Sequence, residues 1–182
     1  MKATFAVLAA AVALSACTTM DIETPPVLVT PNNARDAMGI DVYARARAAG
    51  NPVPRFRGQD TVEVRAFGNV DGNGSREVSN VQCNVDSGLY KATILTPANV
   101  GVPNYGPDSP SIFVRCETGE FSGSATVDSY NITASQRSNS AAGTGLLGAI
   151  IIGAVAAAQI DPNNDEFGYP NIRVTLKERA AQ

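Results

Sequence analysis

The 182-residue chain contains no histidine and no tryptophan, and only five tyrosines and six phenylalanines. Without histidine, the common Ser-His and His-based acid–base arrangements are gone. A zinc site would lack its commonest nitrogen ligand, and three cysteines are too few to replace it. There is no run of basic residues, and the 14 basic side chains are outnumbered by 17 acidic ones. Nucleic-acid binding therefore has no electrostatic support. Ser-Lys or paired-carboxylate chemistry remains possible on paper. Lys91 and Lys177, however, have no distinctive serine motif beside them, and Asp108, Asp128, Asp161 and Glu166 fall in stretches that read as turns. The chain is read as a non-enzyme, with no catalytic residue, no metal ligand and no cofactor.

What is abundant is glycine (16), proline (11) and apolar residues (44%). This composition allows a packed core built from many short elements joined by turns. The first such stretch is at the start. Lys2 gives a positive n-region and Phe5 to Leu14 an apolar h-region, which is too short to span a bilayer. Leu14-Ser15-Ala16-Cys17 follows. This resembles the signal of bacterial lipoproteins, whose cysteine is lipidated and becomes the first residue after cleavage. The resemblance implies removal of residues 1–16, acyl chains on Cys17 and membrane attachment through them. Several chains hold far more firmly than one. Thr18, with no aspartate behind the cysteine, is similar to outer-membrane cargo facing the periplasm. An ordinary secretory signal with a chance cysteine is the plainer reading. Loss of the leader removes Lys2 and no acid, which takes the net charge from −3 to −4. The remaining 166 or so residues are enough for one domain.

In an oxidising periplasm the two remaining cysteines, Cys83 and Cys116, read as a disulfide. Two buried thiols or a redox pair are the alternatives, and no CxxC favours the last. Residues 17–33, rich in Thr, Pro and Asn, read as a tether, because Pro25, Pro26 and Pro31 resist helix and central strand alike. Residues 34–182 then form a single β-rich domain. Ala34 to Ala49 fits a short helix capped by Asn33 and ended by Gly50. Gly39 and the alternation of Ile40-Asp41-Val42-Tyr43 argue instead for a strand. Arg45, Arg47, Arg55 and Arg57 are either a contact for acidic headgroups or a solvated surface.

From Thr61 onward the hydropathy alternates with period two. Thr61 to Phe67, Val78 to Val85, Leu89 to Thr96, Val100 to Val102, Ser111 to Glu117 and Phe121 to Thr133 read as strands. Residues 68–75, Ser87-Gly88, Thr96-Pro97, 103–110 and Thr118-Gly119 read as turns or loops. Residues 134–143 read as a polar surface loop, and Asn171 to Glu178 (about 171–178) as the last strand. The expected fold is mainly β: a small antiparallel sandwich of Ig-like or related type, with each cysteine on the apolar face of a different strand. Asp71 to Ser75 and Asp161 to Glu166 resemble the start of calcium loops, but neither has the distant bidentate glutamate, and turns explain both.

Ala141 to Ile160 carries no charge. Gly145, Ala149, Gly153 and Ala157 fall four apart, so a helix over about 144–158 presents them as one small-residue stripe. Such a stripe allows close backbone approach and resembles the glycine-zipper segments of envelope proteins. Three readings stand: a helix docked on the sheet or on a second copy, a membrane-inserted helix, or a buried strand through Ile150-Ile151-Ile152 and Val155.

From Gln82 to Leu176 the order of signals resembles poorly characterised envelope lipoproteins with a PEGA-like β-sandwich. The residues concerned are Cys83, Gly88, Thr96-Pro97-Ala98, Val100, Val114-Arg115-Cys116, Gly119, the glycine-rich apolar segment, Asp161 and Tyr169-Pro170. The loop 101–110 is longer than the family pattern, and an aromatic expected just after Gly119 stands at Phe121. The resemblance implies an anchored binding or scaffolding module whose partner is another envelope protein or a second copy. The competing expectation is a glycine-zipper protein that inserts in the membrane or self-associates.

Overall fold

A computed structural model describes residues 19–142 and 161–179. In chain order these residues form β1 (Val27–Leu28), β2 (Thr30–Pro31), α1 (Ala44–Ala48), β3 (Gly58–Gly68), β4 (Arg76–Val78), β5 (Gln82–Asp86), β6 (Tyr90–Leu95), β7 (Ala98–Asn104), a 3-10 turn (Gly106–Asp108), β8 (Ile112–Thr118), β9 (Phe121–Val127), β10 (Tyr130–Asn131), α2 (Ile132–Ala142), β11 (Phe167–Gly168), β12 (Ile172–Thr175) and β13 (Lys177–Glu178). The protein is mainly β.

Alternation makes the strands two-faced. On β3, Val62, Val64 and Ala66 are buried, while Thr61, Glu63, Arg65 and Phe67 face outward. On β5 and β8, Cys83, Val85, Ile112, Val114 and Cys116 point inward, and Asn84, Arg115 and Glu117 point out. The buried faces meet in one valine-rich core. The first sheet runs β1-β7-β3-β12, with β4 beside β3 beyond the end of β7, and the second runs β13-β9-β8-β5-β6-β2. A separate antiparallel pair joins β10 to β11.

The expected antiparallel sandwich needs one correction. The second sheet is antiparallel throughout, but the first is mixed, because β1 lies parallel to β7 and β12 parallel to β3. Both exceptions come from chain segments that change sheets. Residues 27–31 pair with β7, turn inward at buried Val29, and then pair with β6. Residues 172–178 pair with β3, turn inward at buried Leu176, and then pair with β9. A strand that passes from one sheet to the other makes a corner. Here there is a corner at each side, so the two sheets are joined into a flattened barrel. Gly123 on β9 permits the second corner, since a Cβ there would collide with the Thr175 carbonyl.

Several sequence expectations shift accordingly. The tether over 17–33 ends earlier than expected, because Val27 to Pro31 belong to the sheets; Pro31 is tolerated because β2 is an edge strand. The helix over 34–49 shrinks to α1. Gly39 adopts a positive φ of 60°, and the Asp41 carboxylate accepts the Tyr43 N–H, so the preceding residues turn. The Val78–Val85 strand is two strands, broken at Asn80, whose φ is 57°. The loop 103–110 is short, since β7 runs to Asn104 and Tyr105 is fully buried. The strand from Phe121 ends at Val127. The loop expected over 134–143 is helix α2 as far as Ala142, capped where the Asn131 side-chain Oδ1 accepts the Ala134 N–H at 2.8 Å. The last strand, 171–178, is β12 and β13 with the corner between them. The apolar helix expected over 144–158 lies outside the described residues.

Candidate functional site

Cys83 and Cys116 face each other across β5 and β8 and form a fully buried disulfide. The bridge ties two neighbours within the second sheet rather than one sheet to the other. It closes a loop of 33 residues, for which chain entropy gives about 3–4 kcal/mol. Cys17 and the stripe Gly145, Ala149, Gly153 and Ala157 lie outside the described residues.

Three polar clusters hold the loops and ends onto the barrel, and the sequence reading found none of them as a cluster. The first is on the outer face of the first sheet. Arg65 bonds Glu63 and Glu77, each at 2.5 Å. Glu77 sits beside Arg65 on β4 with its side chain 6% exposed. Both then bind the backbone of one distant residue: Met20 N–H donates to Glu77 Oε2 at 2.7 Å, and Arg65 Nη1 donates to the Met20 carbonyl at 2.7 Å. The hydrogen bonds that Arg65 donates to Glu63 and then to Glu77 raise its pKa against partial burial, so its charge is secure. The alternation Glu63-Val64-Arg65 marks these side chains as outward. Nothing in it announces a partner 45 residues upstream.

The second cluster fixes the segment before α1. Asp41 is buried and accepts from Arg47 Nη1 at 2.7 Å, from the Tyr105 hydroxyl at 3.2 Å and from Tyr43 N–H at 3.1 Å. The Tyr105 hydroxyl also accepts the Val42 N–H at 2.8 Å. Burial holds the Tyr105 phenol protonated, raising its pKa. Arg47 is thus a structural residue, and of the four arginines considered for headgroup contact it has the least freedom to serve. Arg57 is committed as well, to the carbonyls of Pro162 and Asp165.

The third cluster joins α2 to the turn before β11. Asp165, with 1% side-chain exposure, accepts from Asn131 at 2.8 Å, from Arg137 at 2.9 Å and from the Asp161 N–H at 2.9 Å. The Asn131 amide above all, then the Asp161 N–H and Arg137, holds the Asp165 carboxyl below the usual carboxylate range. Nearby Asp60 is the opposite case. Burial raises its pKa, opposed by one hydrogen bond from Asn104 at 2.8 Å.

In each cluster the carboxylates are spent on internal donors. The calcium-like turns behave likewise. Asp161 accepts the N–H groups of Asn163 and Asn164, and Asp71 accepts from Asn73 and pairs with Arg76. Of the acids suggested as pairs, Asp128 accepts from the Ser111 hydroxyl and the Asp161 carboxylate accepts from the Asn164 amide at 2.7 Å. Among the described residues no group of three or more Cys, Asp or Glu is arranged to hold a metal.

The outer face of the second sheet is mostly polar, with Leu95 and Phe113 exposed among its polar side chains. It carries two shallow depressions that share Asn84. One is lined by Gln82, Asn84, Glu117, Thr118, Gly119 and Arg179, the other by residues of β2, β5 and β6 including Asp86, Lys91 and Thr93. Across it, Thr93 donates to Asn84 at 3.0 Å and Arg115 to Glu117 at 2.7 Å. These exposed bonds are weak and easily exchanged for those of a partner.

No helix among the described residues is long and apolar enough to cross a membrane. The flanks of 143–160 belong to one body: α2 is tied to Asp165, and β12 pairs with β3. A single crossing by that segment would place paired strands on opposite sides of a bilayer. Comparison of the chain with family models, with curated proteins and with solved structures gives no match.

Proposed function

We propose that this chain is a lipid-anchored bacterial envelope protein, attached through acyl chains on Cys17, facing the periplasm from the outer membrane, and acting as a binding or scaffolding module without catalysis. The observation that carries this reading is Leu14-Ser15-Ala16-Cys17 at the end of a short apolar run. The buried Cys83–Cys116 bridge supports it, because such bonds persist in oxidising compartments. The internally satisfied carboxylates support a holding role over a catalytic one. The outer face of the second sheet is the surface offered for a partner, as expected of the PEGA-like module that the residue pattern from Gln82 to Leu176 resembles. Replacement of Cys17 by serine tests the anchor: Cys17→Ser should move the protein from the membrane pellet to the soluble fraction with its fold intact. Retention in the pellet would overturn the reading.

A second reading keeps the glycine-zipper segment as a self-associating element. Its support is the four-residue spacing of Gly145, Ala149, Gly153 and Ala157. The shared attachment of its two flanks argues against a simple span, so association with a second copy is the form it takes here. Bulky substitution at Gly153 should then dissociate a dimer seen by analytical ultracentrifugation.

A further inference from the structure

We infer that the outer face of the first sheet rests on the membrane that holds the anchor, set there by a short leash. The inference depends on acylation at Cys17. Its further content is an orientation: the first sheet toward lipid and the second sheet away from it.

The chain becomes fixed at Met20, only three residues beyond Cys17. Both backbone groups of Met20 are held, its N–H by Glu77 and its carbonyl by Arg65. Three extended residues reach at most about 11 Å. The distance from one outer face of the sandwich to the other is about 20 Å, since the sheets lie about 10 Å apart and side chains project from both. A domain docked at Met20 therefore cannot turn its second sheet to the lipid surface without breaking the Arg65–Glu77 grip.

The side chains on that side agree. Met20 and Leu28 are exposed large apolar residues on this side, at 39% and 53%, as Leu95 and Phe113 are on the outer face of the second sheet, at 57% and 42%. Met20 and Leu28 lie in the segment nearest the anchor. Leu28 extends over the outer surface of β7, where Gly101 leaves it room, since a Cβ there would stand 2.6 Å from its terminal methyl. On this face Arg65 is paired with its two glutamates, and Arg173 lies over the Phe67 ring at 3.5 Å. A face whose arginines are held against glutamates or an aromatic ring, with Met20 and Leu28 protruding, fits a lipid interface, into which the apolar groups insert. Burial of Met20 and Leu28 in a second copy is the competing outcome.

The test uses the acylated full chain in phospholipid vesicles carrying a headgroup quencher. A fluorophore is placed at Thr61→Cys, exposed on the outer face of β3, or at Thr93→Cys, exposed on the outer face of β6. The label at position 61 should lose most of its emission and the label at 93 little. Equal quenching, or stronger quenching at 93, in protein that floats with the vesicles would overturn the orientation and leave the anchor reading standing. Absence of acyl mass on the N-terminal peptide would sink both. A flexible insertion between Thr18 and Thr19 leaves the fold and flotation untouched and should abolish the difference between the two labels. A difference that survives the insertion would contradict the leash as its cause.

Discussion

The two corners of the barrel solve one geometric problem with unequal means. At the N-terminal corner, β1 and β2 contribute two residues each, Pro25 and Pro26 precede them, Pro31 ends β2, and only Val29 is buried. At the C-terminal corner, Ile172, Val174 and Leu176 are all buried, β12 makes four pairings with β3, and Gly123 brings the crossing strand close. Buried apolar area is the main source of stability. The C-terminal corner should therefore close the core, while the N-terminal corner chiefly fixes the course of the segment that follows Met20. On the proposed anchoring, the first serves folding and the second placement.

The sharpest break of this comparison is removal of residues 172–179, which should leave a chain without cooperative thermal unfolding, as read by circular dichroism. Loss of the bridge in the Cys83→Ser/Cys116→Ser pair should cost about 3–4 kcal/mol in urea melts. It should do so without changing which corner opens first. Leu176→Ala should cost about 3 kcal/mol, the usual range for a buried leucine. Val29→Ala should cost about 1.5 kcal/mol, the transfer value of the groups removed. In hydrogen exchange the Val29 amide, bonded to Gly101 at 3.1 Å, should exchange before the Leu176 amide, bonded to Phe67 at 2.7 Å. The reverse order would show that the two corners have been ranked wrongly.

The smallest effect is in pH dependence. Asp165 secures the turn that leads to the C-terminal corner, and its pKa is lowered. Its contribution is present above the ordinary aspartate value of about 3.9 and is lost as the pH falls through the lower folded value. Asp165→Asn should thus be less stable than wild type at neutral pH and converge with it in strong acid. The Asp60 pKa is raised by burial, so its carboxylate opposes folding increasingly as pH rises above about 3.9. Asp60→Asn should match or exceed wild type at pH 7, since its amide oxygen can still accept from Asn104. Urea midpoints across pH would separate the two.

What was legible in the sequence follows from what is local. The alternation through β3, β5, β8 and β12 put Val62, Cys83, Val114 and Val174 on inner faces, because side-chain period depends only on the strand itself. The corners were illegible because Val29 and Leu176 differ from their neighbours only through contacts made far along the chain. Helix α2 was missed because Ala-Ser-Gln-Arg-Ser-Asn carries no apolar stripe. Its support comes from the Asn131 cap and from Asp165, 28 residues beyond Arg137. The grip on Met20 was hidden for the same reason, since its partners stand 45 and 57 residues away.

The central claim is attachment by lipid at one sulfur, and the most direct measurement is the mass of the mature N-terminal peptide from protein isolated from its native envelope. The account predicts a peptide that begins at Cys17 and carries acyl chains on that residue. A peptide beginning at Met1, or one in which Cys17 is a free thiol, would contradict it.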